Sequence, residues 1–429
     1  MAAAPGTTTT ATAMPRLSGV AVFFHVFLPF ALGHYLSSLL RNVNAVLASH
    51  LVGELALTPG QLGLLTSAFF FAFALAQLPV GIALDRYGPR RVQLAMLLAA
   101  ACGALLFARG TGLVQLLLAR AVMGCGLGGC FMAAVKAVST WIAPNKLPSV
   151  HGYLIAVGGL GAATATMPVR TALEYTDWRG LFLILAALVA CTGLLVALLY
   201  PRHDAAASQR GPLLPALREV WRASSFRSVV SLVLLPHAVF FGVQGLWIGR
   251  WLSDVAGFSD AAVAYLLYLS MAGVIFGAIA VGMITEWAGR RGMPPLDVAA
   301  AGVTIFVLVQ AGFVVGYQPS FPMLSVLFSL VGTITGIEYA IVAQSMPRAL
   351  TGRAATFLNF LIFIGAFLVQ AGFGLVVDLW KPDLAGRAPA IAYQAAFGLL
   401  VLIQLPGLWA FARRRKLAPA AEEETAAPA

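Results

Sequence analysis

At 429 residues, 60% hydrophobic and only 10% charged, the chain departs sharply from soluble globules, in which about a quarter of residues carry charge. A bilayer core about 30 Å thick takes roughly 20 apolar residues per helix, and about twelve such stretches fill this sequence, leaving no room for a soluble catalytic domain. The formal charge of +11 collects in even-numbered loops and at the two ends, as the positive-inside rule asks of cytoplasmic segments, so it sets topology and calls for no nucleic acid.

In chain order, residues 1–18 are small and polar and read as a disordered cytoplasmic tail without a cleavage site. Six spans follow within 19–200. The first runs from about Gly19 past Asn44, and the second reaches Leu84 and opens into the charged turn GIALDRYGPRR, Gly81 to Arg91. The fourth covers about Leu113 to Trp141, and the fifth carries the small-residue run AVGGLGAATA, which lets helices approach closely in lipid. Residues 201–227 form a polar linker in which Leu213, Leu214, Leu217, Val220 and Trp221 fall on one helical face, as in an interfacial helix. Six further spans occupy 228–411, and the second of them ends in GMITEWAGRR, Gly282 to Arg291, a spaced echo of the first turn. Residues 412–429 read as a second cytoplasmic tail. Cys102, Cys125, Cys130 and Cys191 lie inside apolar runs without metal-type or redox-type pairing, so neither disulfide, metal nor cofactor is expected.

Six spans, a basic linker, six spans and the turn formed by Gly81, Asp85, Arg86, Gly88, Arg90 and Arg91 resemble the major facilitator superfamily of secondary transporters. The resemblance covers nearly the whole chain. It implies an all-α membrane protein of 12 transmembrane helices in two pseudo-symmetric six-helix bundles, rocking about a midplane site. It also implies that Asp85 and Arg86, with Gly81, Gly88, Arg90, Arg91 and the echo residues Glu286, Gly289, Arg290 and Arg291, act as a conformational gate. Arg120 ahead of Gly124, Gly126 and Gly128 resembles the superfamily's pattern in span four, and the span-five pattern of proton-coupled drug antiporters is poorly kept.

Charges within spans are costly and must have a partner or a purpose. Arg41, Arg120, Lys136, Arg170 and Arg250 stand against one deep acid, Glu338, which suggests a cavity for anions. His34, Ser37, Ser38, Arg41 and Asn44 recur at helical steps of three, four and seven residues on one face of span one, and the resemblance places spans one, four, seven and ten around the cavity. The run RNVNAVLASHL, Arg41 to Leu51, resembles span one of the organophosphate:phosphate antiporters, where the arginine binds substrate phosphate; span seven offers only Arg250, displaced toward the outer end. A second reading has span one ending early, with Arg41, about 33 Å along the helix at 1.5 Å per residue, snorkelling to the outer interface.

The expected substrate ligands are therefore Arg41, Asn44, Arg120 and Lys136, with Gln244 and Trp247 from span seven; Arg120 could alternatively cap backbone carbonyls. Glu338 and His34 are the candidates for proton coupling, with Lys136 a possible static partner for Glu338. The expected function is proton-coupled uptake of a small organic anion, carboxylate or phosphate bearing. Efflux of a drug or metabolite and a non-transporting sensor are the alternatives, and no enzymatic motif is present. The partners are a small-molecule substrate, protons and the lipid bilayer, in a monomer. Arginine in excess of lysine and abundant alanine point to a bacterial inner membrane.

Overall fold

The computed structural model describes residues 18–142, 146–201, 213–383 and 387–425; the expected N-terminal tail lies outside them. The described residues are helical with short connections. Among the described residues, eleven helices are long and apolar enough to cross a membrane. One of them, Pro59–Ala108, has 50 residues and is two spans joined end to end, which brings the total to the twelve spans of two six-helix bundles.

The joint is Gly88, at φ 76° and ψ 164°, a backbone region that is nearly closed to residues with a Cβ. No atom would obstruct a side chain there, so conformation alone demands the glycine. Gly88→Ala is expected to cost about 1–3 kcal/mol, read as a lower melting temperature in detergent without loss of expression of the helical fold.

In the echo the turn has moved. Asp260–Gly289 stays helical through Gly289, and the positive φ falls at Gly292, three residues later than the spacing of the first turn suggests. Arg291 lies over the Trp287 ring at 3.8 Å, and Arg290 bonds Glu286 at 2.5 Å across one exposed helical turn.

The bundles repeat one plan with exchanged details. In the first, a side chain on Gly124 of span four would strike the Phe69 carbonyl of span two; in the second, one on Gly277 of span eight would strike the Leu330 carbonyl of span ten. The same helix pair makes the close approach each time, with the glycine on opposite partners. Small residues permit this contact where no hydrophobic effect drives helices together. Spans one and seven also share a device that periodicity did not show. Each has a π-helical turn, Phe23–Phe27 and Val230–Leu234, directly before a Leu-Pro pair at Pro29 and Pro236. A proline lacks the N–H of the helical ladder, and the wider turn accommodates its ring.

Spans two and five of the first bundle lie along spans eleven and eight of the second. At the face opposite the linker the seam is tight. Thr58 Oγ1 donates to Asp378 Oδ2 at 3.0 Å, and Ser49 Oγ to Asp260 Oδ2 at 3.2 Å. A side chain on Gly374 would come within 2.6 Å of the Pro59 carbonyl, and one on Gly63 within 2.9 Å of Trp247. On the same face Trp178 Nε1 and Arg179 Nη1 donate to Glu54 at 2.7 and 2.5 Å. The Trp178 bond first, then Arg179, holds this carboxyl below its usual value, so the contact persists on acidification until the pH passes through that lowered value.

The linker helix Leu213–Arg222 packs Ala216 and Val220 against Phe226, Met346 and Leu350. Leu214 and Trp221, expected on the same apolar face, remain exposed. The helix thus docks by a narrower stripe and offers a second apolar edge outward, the arrangement of a helix lying in a membrane interface. The last helix, Ala390–Thr425, continues well beyond the span end expected at Phe411.

Candidate functional site

Span one does not end at Arg41. Leu28–Asn42 is followed, after a break at Val43, by Asn44–Leu55. The arginine therefore stands midway along the membrane path and not at its outer end. Its guanidinium lies over Phe241 of span seven at 5.3 Å and over Phe363 of span eleven at 5.9 Å. Arg41 is half-buried, its Nε is enclosed without a hydrogen-bond partner, and among the described residues it joins no ion pair. A cation belonging to one bundle is thus seated on the rings of the other, at the seam.

The face of span one divides around this position. Ser37 Oγ donates to the Leu127 carbonyl of span four at 3.2 Å, and Asn44 Nδ2 to Thr66 Oγ1 of span two at 3.2 Å. His34 lies tilted against Phe131 at 4.9 Å and abuts Gly158. Asn44, one helical turn after Arg41, bonds within its own bundle while Arg41 reaches the rings of the other. Asn44 is fully buried in its own bundle, with Oδ1 unpartnered.

Arg120, also fully buried, donates from Nη1 to the Leu40 carbonyl at 2.9 Å and sits over Phe69 at 4.9 Å. It supports the chain just before the break, beside Arg41, and is enclosed with Nε and Nη2 unpartnered. Lys136 is removed from the centre, since its ammonium pairs with Asp85 Oδ1 of the charged turn. The ion pair expected between Lys136 and Glu338 is not formed, since each has a different partner.

Glu338 accepts from His237 instead: Nδ1 lies 2.5 Å from Oε1, both residues are buried, and Oε2 has no partner. His237 stacks on Phe241 at 4.9 Å and 14°, and Phe241 in turn carries Arg41. Tyr339, next to Glu338, donates to Asn359 Oδ1 at 2.7 Å. His237 is absent from the expected coupling pair because its partner is 101 residues away in sequence, and only its position one residue after Pro236 marks it.

Trp247 is not a cavity wall. It is fully enclosed, donates from Nε1 to the Gln370 carbonyl at 2.9 Å, and stacks on Phe373 at 4.9 Å. Gln244, in the π-helical turn Val243–Trp247, accepts from Ser329 Oγ at 2.9 Å and keeps Nε2 unpartnered. Arg250 has its own carboxylate, Asp254 at 2.9 Å, which also accepts from Tyr393 at 2.7 Å. Among the gate residues, Arg90 Nε donates to the Ala197 carbonyl at 2.9 Å and Arg86 lies over Tyr87 at 5.2 Å, while Arg91 is exposed and Gly81 has open space beside it.

A family model described as Major Facilitator Superfamily matches residues 30–370. The chain belongs to this superfamily. It is a transporter and not an enzyme. Among its relatives in the superfamily, the hexuronate transporter of Escherichia coli is 24% identical over 400 residues, 86% of this chain and 90% of that one. The probable sulfoacetate transporter SauU of Cupriavidus necator is 24% identical over 273 residues, 60% of this chain and 64% of the relative. A bacterial homologue of the human lysosomal transporter Spinster, solved in an inward-facing, unoccupied conformation, superposes with a TM-score of 0.75 at 17% identity, covering 91% of this chain and 96% of that one. That likeness is one of fold.

A residue held in the charged turn and one held at the seam are expected to have separable effects. Lys136→Gln breaks the ion pair with Asp85 and leaves the surroundings of Arg41 intact. Equilibrium binding of a transported anion is expected to stay within about twofold while the maximal transport rate changes severalfold, because a partly exposed pair biases a conformational equilibrium by about 1 kcal/mol.

Proposed function

We propose that this transporter takes up a small organic anion together with protons across the bacterial inner membrane, by alternating access, with the linker and both termini on the cytoplasmic side. The observation that carries the reading is Arg41, a seam cation with an unpartnered Nε, supported on the aromatic rings of the opposite bundle. An arginine fork suits a carboxylate, and the hexuronate and sulfoacetate relatives carry the names of organic anions. A ligand bridging Arg41 to spans seven and eleven touches both bundles, so its binding energy can differ between the two facing states.

One cation favours a single anionic group. Arg41 stands twelve residues after Pro29, and twelve after Pro236 comes Ile248, which is buried. The symmetric position therefore supplies no second arginine, and a carboxylate suits the site better than a phosphate ester.

Protons are assigned to Glu338 with His237, since this pair is joined to the Arg41 site through the face of Phe241. His34, on the other side of Arg41, is the secondary candidate. The sealed face opposite the linker makes the state inward-facing under this topology. The test is uptake of radiolabelled benzoate, nicotinate and galactonate into proteoliposomes under an acid-outside gradient. Accumulation of one of them that a protonophore abolishes is expected. Uptake of all three no greater than the passive entry of the neutral acids into protein-free vesicles would overturn the reading.

A further inference from the structure

The surroundings of Arg41 bear on the rest of the substrate. Phe363 of span eleven lies 4.4 Å from Phe73 and 5.8 Å from Phe70 of span two, and 5.2 Å from Phe241 of span seven, centroid to centroid. Arg41 is set on two of these four rings. Nearby polar side chains bond mostly one another, Tyr339 with Asn359, Glu338 with His237 and Gln244 with Ser329, leaving Glu338 Oε2 and Gln244 Nε2 as the unpartnered atoms of these pairs. A bound carboxylate is thus offered a guanidinium at one end and rings around it, with little capacity to replace the water on several hydroxyls.

A polyhydroxylated acid would surrender hydrogen bonds to solvent without recovering them, each unmatched hydroxyl weakening binding by roughly tenfold. A flat ring loses little water there and gains edge and face contacts with phenylalanine. Resting on the anion-site reading of Arg41, we infer that the site selects a monocarboxylate on a flat, apolar, ring-bearing body and discriminates against sugar acids. The similarity to the hexuronate transporter then lies in the scaffold and the anion anchor, while the body of the substrate is read by the aromatic seam.

The test uses the full-length protein purified in detergent, titrated calorimetrically with benzoate, cyclohexanecarboxylate and galactonate, with the Arg41→Ala variant as reference. Benzoate is expected to bind at least about tenfold tighter than galactonate, and tighter than cyclohexanecarboxylate, with all binding lost in the variant. Phe241→Leu, checked for an unchanged melting temperature, is expected to weaken benzoate about threefold to tenfold. Galactonate binding as tight as benzoate, and still dependent on Arg41, would overturn the selectivity while leaving the anion site standing. Cyclohexanecarboxylate binding as tight as benzoate would overturn the requirement for a flat ring. No Arg41-dependent binding of any of the three would remove both.

Discussion

Arg41→Ala is expected to abolish anion uptake, by on the order of 100-fold or more, without unfolding the protein. Truncating one partner of a desolvated, hydrogen-bonded charge pair costs about 2–5 kcal/mol, and 1.4 kcal/mol is a factor of about ten. The stability side of the expectation is what separates a ligand from a strut. Arg41 lies on the rings of the opposite bundle with Nε unpartnered, whereas Arg120, whose Nε and Nη2 are also unpartnered, is tied within its own bundle to the Leu40 carbonyl. Removing this cation relieves desolvation and gives up its contacts over Phe241 and Phe363 without breaking an ion pair among the described residues, so the melting temperature should be maintained or rise. Arg41→Lys keeps the charge and loses the planar fork and much of its stacking on Phe241 and Phe363. It should retain measurable uptake at a cost of about tenfold in apparent affinity. The readouts are initial uptake in proteoliposomes and thermal melting of the same preparations.

Glu338→Gln is expected to separate movement of substrate from its coupling to protons. Glutamine preserves the size of the side chain and can accept from His237 Nδ1, so the bundle contact survives, but it cannot gain or lose a proton. Counterflow of substrate between equal concentrations should continue within about twofold. Accumulation driven by a pH gradient should fall to the diffusive limit, where the wild type could reach about tenfold per pH unit for one coupled proton. If the buried hydrogen bond at 2.5 Å were only a structural tie, both measurements would move together or not at all. His237→Asn, which keeps a donor near Oε1, should resemble Glu338→Gln if the proton is shared by the two side chains.

The fold was legible because membrane spans are written in composition. Twelve apolar stretches, the turn at Gly88 and the linker helix each follow from residue types whose placement is nearly forced. The centre was legible in part. Arg41 stood out because an unpaired charge in a span is costly, yet its environment depended on the break at Val43 and on Phe241 and Phe363, about two and three hundred residues away. Helical steps grouped Asn44 with Arg41, although Asn44 bonds Thr66 within its own bundle, and depth alone matched Lys136 with Glu338. Both steps used one-dimensional position where crossing angles decide. Trp247 and Arg120 were expected at the ligand for their chemistry and lie instead in packed contacts between helices. The echo at Gly289 shows the same limit on a small scale: the motif was conserved in spacing within the chain, but the turn needed the glycine three residues on.

The most direct measurement is calorimetric titration of purified wild-type protein and Arg41→Ala with benzoate and galactonate at fixed pH. Binding of a carboxylate at one site per chain, absent in the variant although it melts no lower than the wild type, is the predicted result. A folded Arg41→Ala protein that binds the same carboxylate with unchanged affinity would contradict the account, since the anion would then be held by groups other than the cation at the seam.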